Sequence, residues 1–236
     1  MRFVTPTASE PNPSSVAGPP AEAQLLDEIA RSIVSSELPP GSHLTAAALA
    51  SRFGASRTPV REARRGLSEL GLVEVHGNRG AFVVDPMSID ADGLRDLVQT
   101  RRLVEPFALM QAARRATEAD LRRIHDALRD GDSAMEVGDV GRLNLAHHEL
   151  LTSMVAASHN DAVVRAVRPL HYRTCLVVAR TAAITLPHGW RTHRQVAERL
   201  ADRAGEDAAQ LHDAHLGEVL SSLEPPAEDG SPVAPK

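Results

Sequence analysis

Within residues 42–84, the spacing of hydrophobic positions changes from a helical period to a strand-like one. Up to residue 70, apolar residues recur at intervals of three and four, as on the buried side of a helix. After Gly71 they form two short β-like runs, 72–75 and 81–84, with a glycine-rich turn between them. The pattern therefore predicts a helix, a tight turn, a second helix and a two-stranded wing.

The second of these helices separates its apolar and charged positions. Ser56 is a suitable N-cap, and Pro59 falls in the first helical turn, where its missing N–H costs nothing. The apolar stripe comprises Val60, Ala63, Leu67 and Leu70. Four arginines lie mostly off that stripe: Arg57, Arg61, Arg64 and Arg65. Such a helix suits a DNA major groove, because arginine pairs bidentately with guanine or neutralises phosphates.

The preceding helix is predicted over Thr45–Phe53, with Gly54 supplying the turn. This order is that of a helix-turn-helix, in which the second helix reads bases and the first supports it. At the tip of the wing, His76, Asn78 and Arg79 are available to a groove or a phosphate backbone.

Composition narrows the protein class. A chain of 236 residues suggests one or two domains, and 42% hydrophobic residues with only 3% aromatic residues favours helices over a β-sandwich. The single Cys175 excludes a disulfide framework and a multi-cysteine zinc module. No apolar run reaches the ~18 residues of a membrane span, and no signal-peptide pattern is present, so we expect a cytoplasmic protein.

Charge adds a local signal. The formal net charge is −5, yet residues 52–65 contain five arginines and one glutamate. A specific DNA-binding surface depends on such clustering more than on the total charge. The alternative is an ordinary solvated helix face.

The chain divides into four predicted regions. Residues 1–20 and 225–236 are predicted disordered tails, and residues 21–86 form the winged helix-turn-helix, which begins with a helix over 21–36. Residues 87–224 are predicted to form an antiparallel all-helical bundle. Its six predicted helices are 89–116, 117–137, 140–157, 161–183, 190–204 and 206–223, with a kink at Pro169 and a loop at Leu186–Gly189.

The bundle contains histidines that could form a metal site. Asn144 and His148 are four residues apart and share a helix face, while His193 and His215 lie on later helices. Three imidazoles that converged in a bundle would bind a transition metal and leave open positions. Alternatively, each histidine is a surface or hydrogen-bonded core residue. His147 and His212 are neighbours that could substitute or mislead.

The N-terminal region resembles the winged helix-turn-helix of GntR-family transcription regulators. The resemblance rests on the run SRTPVREA followed by GLVEVHGNRGAFV. It implies DNA contacts at Arg57, Thr58, Arg61, His76 and Gly77, to which we add Arg65, Asn78 and Arg79. The sequence departs from the family at Ala46–Ala48, where charged residues are frequent, and at Arg64, where leucine is usual. Gly66 within the helix costs about 1 kcal/mol relative to alanine.

The bundle is similar to the FCD ligand-binding domain of FadR-like GntR regulators. The matching positions are Asn144–His148, Ala157–Asn160, His193 and His215. The resemblance implies that Asn144, His148, His193 and His215 hold a divalent metal, with a carboxylate effector completing the coordination. Because asparagine replaces the usual aspartate, the donor set favours Zn or Ni over Mg or Mn, or binds metal more weakly.

Further pocket residues follow from the same resemblance. It places Arg101 where a guanidinium could clamp the effector carboxylate, whereas its spacing from Glu105 also fits a helix-surface salt bridge. His171 and Arg173 could line the cavity as well.

These observations predict a homodimeric transcription regulator, and we expect a repressor, the commoner behaviour in the family. Each subunit would read half of a pseudo-palindromic double-stranded operator, and a small carboxylate would change the placement of the two heads. One alternative is a regulator with a metal-free or degenerate pocket. Another is a metal-dependent hydrolase with a DNA-binding head, although no general base stands out in the sequence and only Glu149 is adjacent to His148.

Overall fold

The computed structural model describes residues 21–179 and 182–223 as an N-terminal head of three helices and a β-hairpin followed by a six-helix bundle. The predicted tails, 1–20 and 225–236, lie outside these residues. The described elements are α1 (Ala21–Val34), α2 (Ala46–Phe53), α3 (Arg57–Glu69), β1 (Val73–His76), β2 (Gly80–Val83), α4 (Ala91–Arg115), α5 (Glu118–Val137), α6 (Val140–Ala156), α7 (Asp161–Val178), α8 (Ala182–Ala201) and α9 (Gly205–Ser222).

Local capping explains the helix-turn-helix. The Thr45 side chain accepts a hydrogen bond from the Ala48 amide at 3.1 Å and begins α2. Gly54 ends α2 in the left-handed conformation, with φ 62°, which glycine adopts without steric cost. Ser56 occupies the N-cap of α3, but its side chain forms no capping hydrogen bond. The predicted helix, turn and helix are therefore confirmed.

The predicted wing is confirmed as an antiparallel hairpin in which Val73 pairs with Val83 and His76 pairs with Gly80. One part of it was not predicted: residues 41–44 run along the outer edge of β2, and the Leu44 amide donates to the Ala81 carbonyl at 2.8 Å. Gly80 allows this approach. A Cβ atom at Gly80 would lie 2.4 Å from Nε2 of His43, and its φ of 105° also favours glycine.

The bundle contains the six predicted helices, with two errors in their boundaries. The predicted loop Leu186–Gly189 is wrong, because α8 runs through these residues from Ala182. Leu186 and Trp190 are one helical turn apart and both are buried in the bundle core, so their packing favours a continuous helix. Pro187 lies in the second turn, where it removes one hydrogen bond. The helix predicted to reach residue 183 ends at Val178.

The head and the bundle share a hydrophobic core through α7. Tyr172, Cys175 and Leu176 from α7 are buried together with the apolar residues of α1, α3 and the hairpin. An ion pair between Arg168 and Asp27, 2.6 Å apart, also connects α7 to α1. A displacement of α7 would therefore change the packing of the head directly. None of the described helices is long and apolar enough to span a membrane.

Candidate nucleic-acid interface and histidine cluster

Helix α3 buries one face and exposes the other. Val60, Ala63 and Leu67 are at most 1% exposed and pack into the head. The opposite face presents Arg57, Thr58, Arg61 and Arg65 to solvent. The predicted contact residues of α3 thus lie together on one surface, in the orientation that a groove-reading helix needs.

The arginines of this face are only loosely held within the protein. Nε of Arg61 lies 3.8 Å from Glu62, and Nε of Arg65 lies 3.3 Å from Glu69. Both pairs are exposed, and such pairs contribute about 0–1 kcal/mol each. Arg57 forms no ion pair with any residue that the structure describes. These guanidinium groups can therefore turn to phosphates or bases at small cost.

The predicted wing residues lie at the tip of the β1–β2 hairpin. Nε2 of His76 lies 3.2 Å from a carboxylate oxygen of Glu74, and its ring lies 5.7 Å from that of Phe82. Arg79 is exposed. Gly77, Asn78 and Arg79 form one 3₁₀ turn at the tip, and Gly77 has φ 42°. The turn presents backbone amides and a guanidinium group at one end of the head.

Four histidines from α6, α8 and α9 form a cluster in the bundle. The ring centroid of His193 lies 5.1 Å from His147, 4.9 Å from His215 and 6.5 Å from His212. His147, His193 and His212 are at most 4% exposed. In each of these three, the buried Nδ1 atom has no hydrogen-bond partner within the described part of the chain. An unpaired buried nitrogen is costly, so this cluster is suited to a ligand that pairs with it.

A buried carboxylate lies beside the cluster. Glu105 binds Arg101 through two hydrogen bonds, of 2.6 and 3.1 Å, and also contacts Nε2 of His171 at 3.1 Å and Nε2 of His212 at 2.5 Å. Nη1 of Arg101 reaches Thr174 at 3.3 Å. The proposed surface salt bridge between Arg101 and Glu105 is therefore wrong in one respect: the pair exists but is buried.

The pKa values fit this arrangement. Burial by itself would raise the pKa of Glu105, but the Arg101 charge and the two histidines outweigh it, so the pKa lies well below its usual range. Burial and neighbouring positive groups lower the pKa of His147 and His193 well below the usual range, and lower that of His215 to about 4. These imidazoles are neutral at pH 7, the form that accepts a hydrogen bond or ligates a metal.

The structure does not bring Asn144 and His148 into this cluster. The Asn144 amide donates to the carbonyl oxygens of Val34 and Cys175, at 2.9 and 3.0 Å. The ring of His148 stacks on Tyr172, with centroids 4.3 Å apart. Within α6 it is His147 that contacts His193. Sequence reasoning noted His147 but did not select it.

Of the other two predicted pocket residues, one lies beside the cluster and one does not. His171 is buried at the cluster through Glu105. Arg173, two residues later, points elsewhere: its side chain packs over Gly71, and it lines a groove between the hairpin and the start of α4. Glu149 forms an exposed ion pair with Arg31. The helical period separates these residues, because adjacent positions differ by about 100° around the axis.

The cluster contains several imidazole nitrogens, which are possible metal donors, but the described side chains are not arranged as a metal site. Unpaired Nδ1 atoms are available, and Gly189 leaves room: a Cβ atom there would lie 3.4 Å from Nε2 of His215 and 4.0 Å from Nε2 of His193. Across residues 21–179 and 182–223, no three His, Cys, Asp or Glu side chains converge on one point as metal ligands. Binding would therefore require side-chain rotation.

Comparisons with known proteins identify transcriptional regulators as relatives of this chain. The chain is 28% identical over 186 residues to the Nta operon transcriptional regulator of Aminobacter aminovorans, covering 78% of this chain and 85% of that protein. It is 34% identical over 143 residues to the HTH-type transcriptional regulator LutR of Bacillus subtilis, covering 55% and 64% respectively.

Solved structures show the same fold. A GntR transcriptional regulator from Rhodococcus sp. RHA1 matches with a TM-score of 0.69 and 22% identity, and E. coli McbR/YncC matches with 0.71 and 19%. Each match covers 86% of this chain and 96% of the other. The model of the bacterial regulatory proteins of the gntR family matches residues 21–83, and the FCD domain model matches residues 96–218. The chain therefore belongs to the GntR family of transcriptional regulators and carries an FCD domain.

Proposed function

We propose that the protein is a homodimeric repressor that binds a pseudo-palindromic operator and responds to a small carboxylate at the histidine cluster. The observation that carries this proposal is the cluster itself: buried, unpaired imidazole nitrogens in a bundle whose α7 helix forms part of the core of the DNA-binding head. Burying unpaired nitrogens without a ligand costs free energy. The helix beside the cluster, α7, packs in the core of the DNA-binding head.

On the DNA side, the exposed face of α3 enters the major groove. Arg57, Thr58, Arg61 and Arg65 contact bases and phosphates there, and the wing residues His76, Gly77, Asn78 and Arg79 contact the backbone or the adjacent groove. Two heads related by a twofold axis read the two halves of the operator.

A candidate dimer surface lies on α4. Leu103 and Phe107 are one helical turn apart and are 81% and 46% exposed, which is unusual for large apolar side chains. A second copy of the bundle would cover this face and bury the same residues from both subunits. The dimer would fix the distance between the two heads.

On the effector side, the unpaired nitrogens of the cluster are the easier partners for a carboxylate. Arg101 is already bound to Glu105 and Thr174, so an effector that used it directly would have to displace Glu105. Arg101 still supplies positive charge close to the cluster and favours an anionic ligand. A Zn or Ni ion on the histidines would supply the open coordination position to which a carboxylate binds.

Coupling between the two sites would pass through α7. This helix carries His171, which contacts Glu105, and Tyr172 and Cys175, which lie in the core of the head. A ligand that shifts Glu105 or His212 would therefore bias the position of the head. Couplings of this kind are worth about 1–3 kcal/mol.

A metal-free effector pocket is the second candidate. It is favoured by the open arrangement of the histidines, in which the described side chains do not converge on one point. In that case the carboxylate would pair directly with the imidazole N–H groups, and addition of metal would leave its affinity unchanged.

The test starts from the full-length, untagged protein. Operator sequences are selected from random double-stranded DNA, and affinity is measured by fluorescence anisotropy with and without Zn²⁺, Ni²⁺ and a panel of small mono-, di- and hydroxycarboxylates. We expect selection of a pseudo-palindrome and loss of affinity with at least one acid. Failure to enrich any sequence would contradict operator binding, whereas affinity unaffected by every acid would contradict the carboxylate sensor. A promoter-fusion reporter then distinguishes repression from activation.

A further inference from the structure

We infer that His43 is a further DNA-contacting residue, which binds a phosphate of the operator backbone beside the wing. The inference rests on the operator binding of the proposed function and adds a residue that lies outside α3 and the hairpin. His43 belongs to the segment 41–44, which runs along the outer edge of β2. The wing is therefore three strands wide, and its width determines which parts of the DNA it can reach.

The backbone of this third strand is fixed on both sides of His43. The Leu44 amide donates to the Ala81 carbonyl at 2.8 Å, and the Val83 amide donates to the Ser42 carbonyl at 3.0 Å. These two hydrogen bonds to β2 hold His43 in a defined place within the wing, so its side chain is presented by rigid structure.

His43 projects from the solvent-facing side of the wing. It lies opposite Phe82, and Phe82 lies opposite Glu74. Side chains directly opposite one another share a face of a sheet, and His76, two residues after Glu74, shares it too. The alternate positions of the hairpin are buried in the head: Val73, Ala81 and Val83. His43 is therefore on the same face as the predicted DNA contact His76.

The imidazole of His43 is held in place, yet its nitrogens are free. It stacks on the Phe82 ring, with centroids 4.6 Å apart and planes inclined by 13°. The ring approaches Gly80, where a Cβ atom would lie 2.4 Å from Nε2. His43 is exposed and forms no hydrogen bond or ion pair with any residue that the structure describes. Its ring N–H can therefore donate to a phosphate oxygen.

The width of the wing places His43 beside phosphates. Neighbouring strands are about 4.8 Å apart, so the backbone of His43 is about 10 Å from that of Glu74, the carboxylate that contacts His76. The minor groove of B-DNA is about 6 Å wide. A wing whose tip enters this groove would therefore bring its edge strand to the phosphates that border the groove.

A purely structural role for His43 would be to cover the Phe82 ring, and one substitution separates the two roles. Phenylalanine at position 43 keeps the stacking but has no N–H donor. Full-length His43→Phe is compared with wild type, with His43→Arg, which restores donors, and with His125→Phe. His125 is an exposed histidine on α5, so the last variant is a matched control.

Fluorescence anisotropy measures the operator affinity of each protein, and urea unfolding verifies that the stability is unchanged. We expect a loss of about three- to tenfold in His43→Phe, the value of one hydrogen bond. His125→Phe should bind as the wild type does, and His43→Arg should bind at least as tightly. Wild-type affinity in His43→Phe would overturn the inference.

Neutral methylphosphonates locate the contact. Each phosphate of the operator is replaced in turn, and replacement of the phosphate bound by His43 should weaken the wild type but not His43→Phe. Identical profiles for the two proteins would overturn the inference. Arg57→Ala, measured in the same series, keeps the proposed function separate. If it loses affinity while His43→Phe does not, operator binding stands and only the assignment of His43 falls. Absence of operator binding by the wild type would contradict the proposed function itself.

Discussion

The side-chain amide of Asn144 donates a hydrogen bond to the carbonyl oxygen of Val34, 2.9 Å away at the end of α1. The same amide donates to the carbonyl of Cys175 in α7, at 3.0 Å. One buried side chain on α6 therefore satisfies carbonyl groups on two other helices and joins the head to the bundle. Because both acceptors are carbonyl oxygens, a carboxylate cannot replace this amide without losing both bonds.

Asn144→Asp is expected to destabilise the protein. The substitution removes the side-chain donor from the Val34 carbonyl and one of the two donors from the Cys175 carbonyl, which still accepts from the Ala179 amide at 2.9 Å. It also places a carboxylate beside these oxygens, and a buried unsatisfied group costs about 1–3 kcal/mol. The measurement is the free energy of unfolding in urea. Asn160→Asp is the control, since aspartate retains the cap of α7 and loses one part-buried hydrogen bond, from the Asn160 amide to Gln111 at 3.2 Å. Unchanged stability with tighter metal binding would instead identify Asn144 as a metal ligand.

Arg57→Ala and Arg61→Ala are each expected to weaken specific operator binding by about 1–3 kcal/mol. Both side chains are exposed on α3 and would lose base or phosphate contacts. Fluorescence anisotropy at several salt concentrations measures the loss and the salt slope. Arg129→Ala, an exposed arginine paired with Asp126 on α5, serves as the control. Wild-type operator affinity in both α3 variants would refute the assignment of α3 as the recognition helix.

Leu103→Glu is expected to convert the proposed dimer to a monomer. The change places a charge at the centre of an apolar face that a second subunit would bury, and an unpaired buried charge is strongly unfavourable. Sedimentation equilibrium measures the association state. Val137→Glu, at the exposed end of α5, changes the charge equally and should leave the dimer intact. Equal association in the two variants would exclude this face as the interface.

Glu105→Gln is expected to lower stability at neutral pH by about 3–5 kcal/mol, because it leaves the buried Arg101 charge unpaired. The folded pKa of Glu105 lies below its unfolded value of about 4.3, so its stabilising contribution is present above that pH. The contribution is lost as pH falls through the folded pKa.

Urea unfolding as a function of pH tests this assignment. The difference between wild type and Glu105→Gln should shrink on acidification. Glu136→Gln, which removes an exposed carboxylate from α5, should stay within about 0.5 kcal/mol of the wild type. A difference between wild type and Glu105→Gln that is constant with pH would show that Glu105 is not ionised in the native protein.

Gly189→Ala is expected to reduce metal affinity without destabilising the fold. The added Cβ atom would lie 3.0 Å from Cε1 of His215 and crowd the space beside the cluster, while alanine favours the helix by about 1 kcal/mol. Competition with a zinc chelator measures the affinity, and urea unfolding without metal measures the stability. Gly138→Asn serves as the control, because Gly138 is the left-handed C-cap of α5 and asparagine tolerates that conformation. Gly141 is not used, because a Cβ atom added there would clash with the backbone of Ser35. Unchanged zinc affinity in Gly189→Ala would place the ion elsewhere.

Most of the element pattern could be predicted because it is local. The Thr117 capping box at the start of α5, the left-handed Gly54 after α2 and the stripe of Val60, Ala63 and Leu67 each depend on residues within a few positions. The loop at Leu186–Gly189 was wrong because proline and glycine are local signals, and here the burial of Leu186 and Trp190 outweighed them.

The sequence by itself determined the family, the helix-turn-helix and which face of α3 carries its arginines, because helical periodicity assigns residues to faces without knowledge of the rest of the fold. Only the tertiary structure decided that His147 contacts His193, that Asn144 joins the two domains and that Arg101 is bound to a buried Glu105. Those outcomes depend on how α6 is rotated against α7 and α8. That rotation is set by packing between residues distant in the sequence, and a rotation of one residue, about 100°, exchanges the partners of neighbouring side chains.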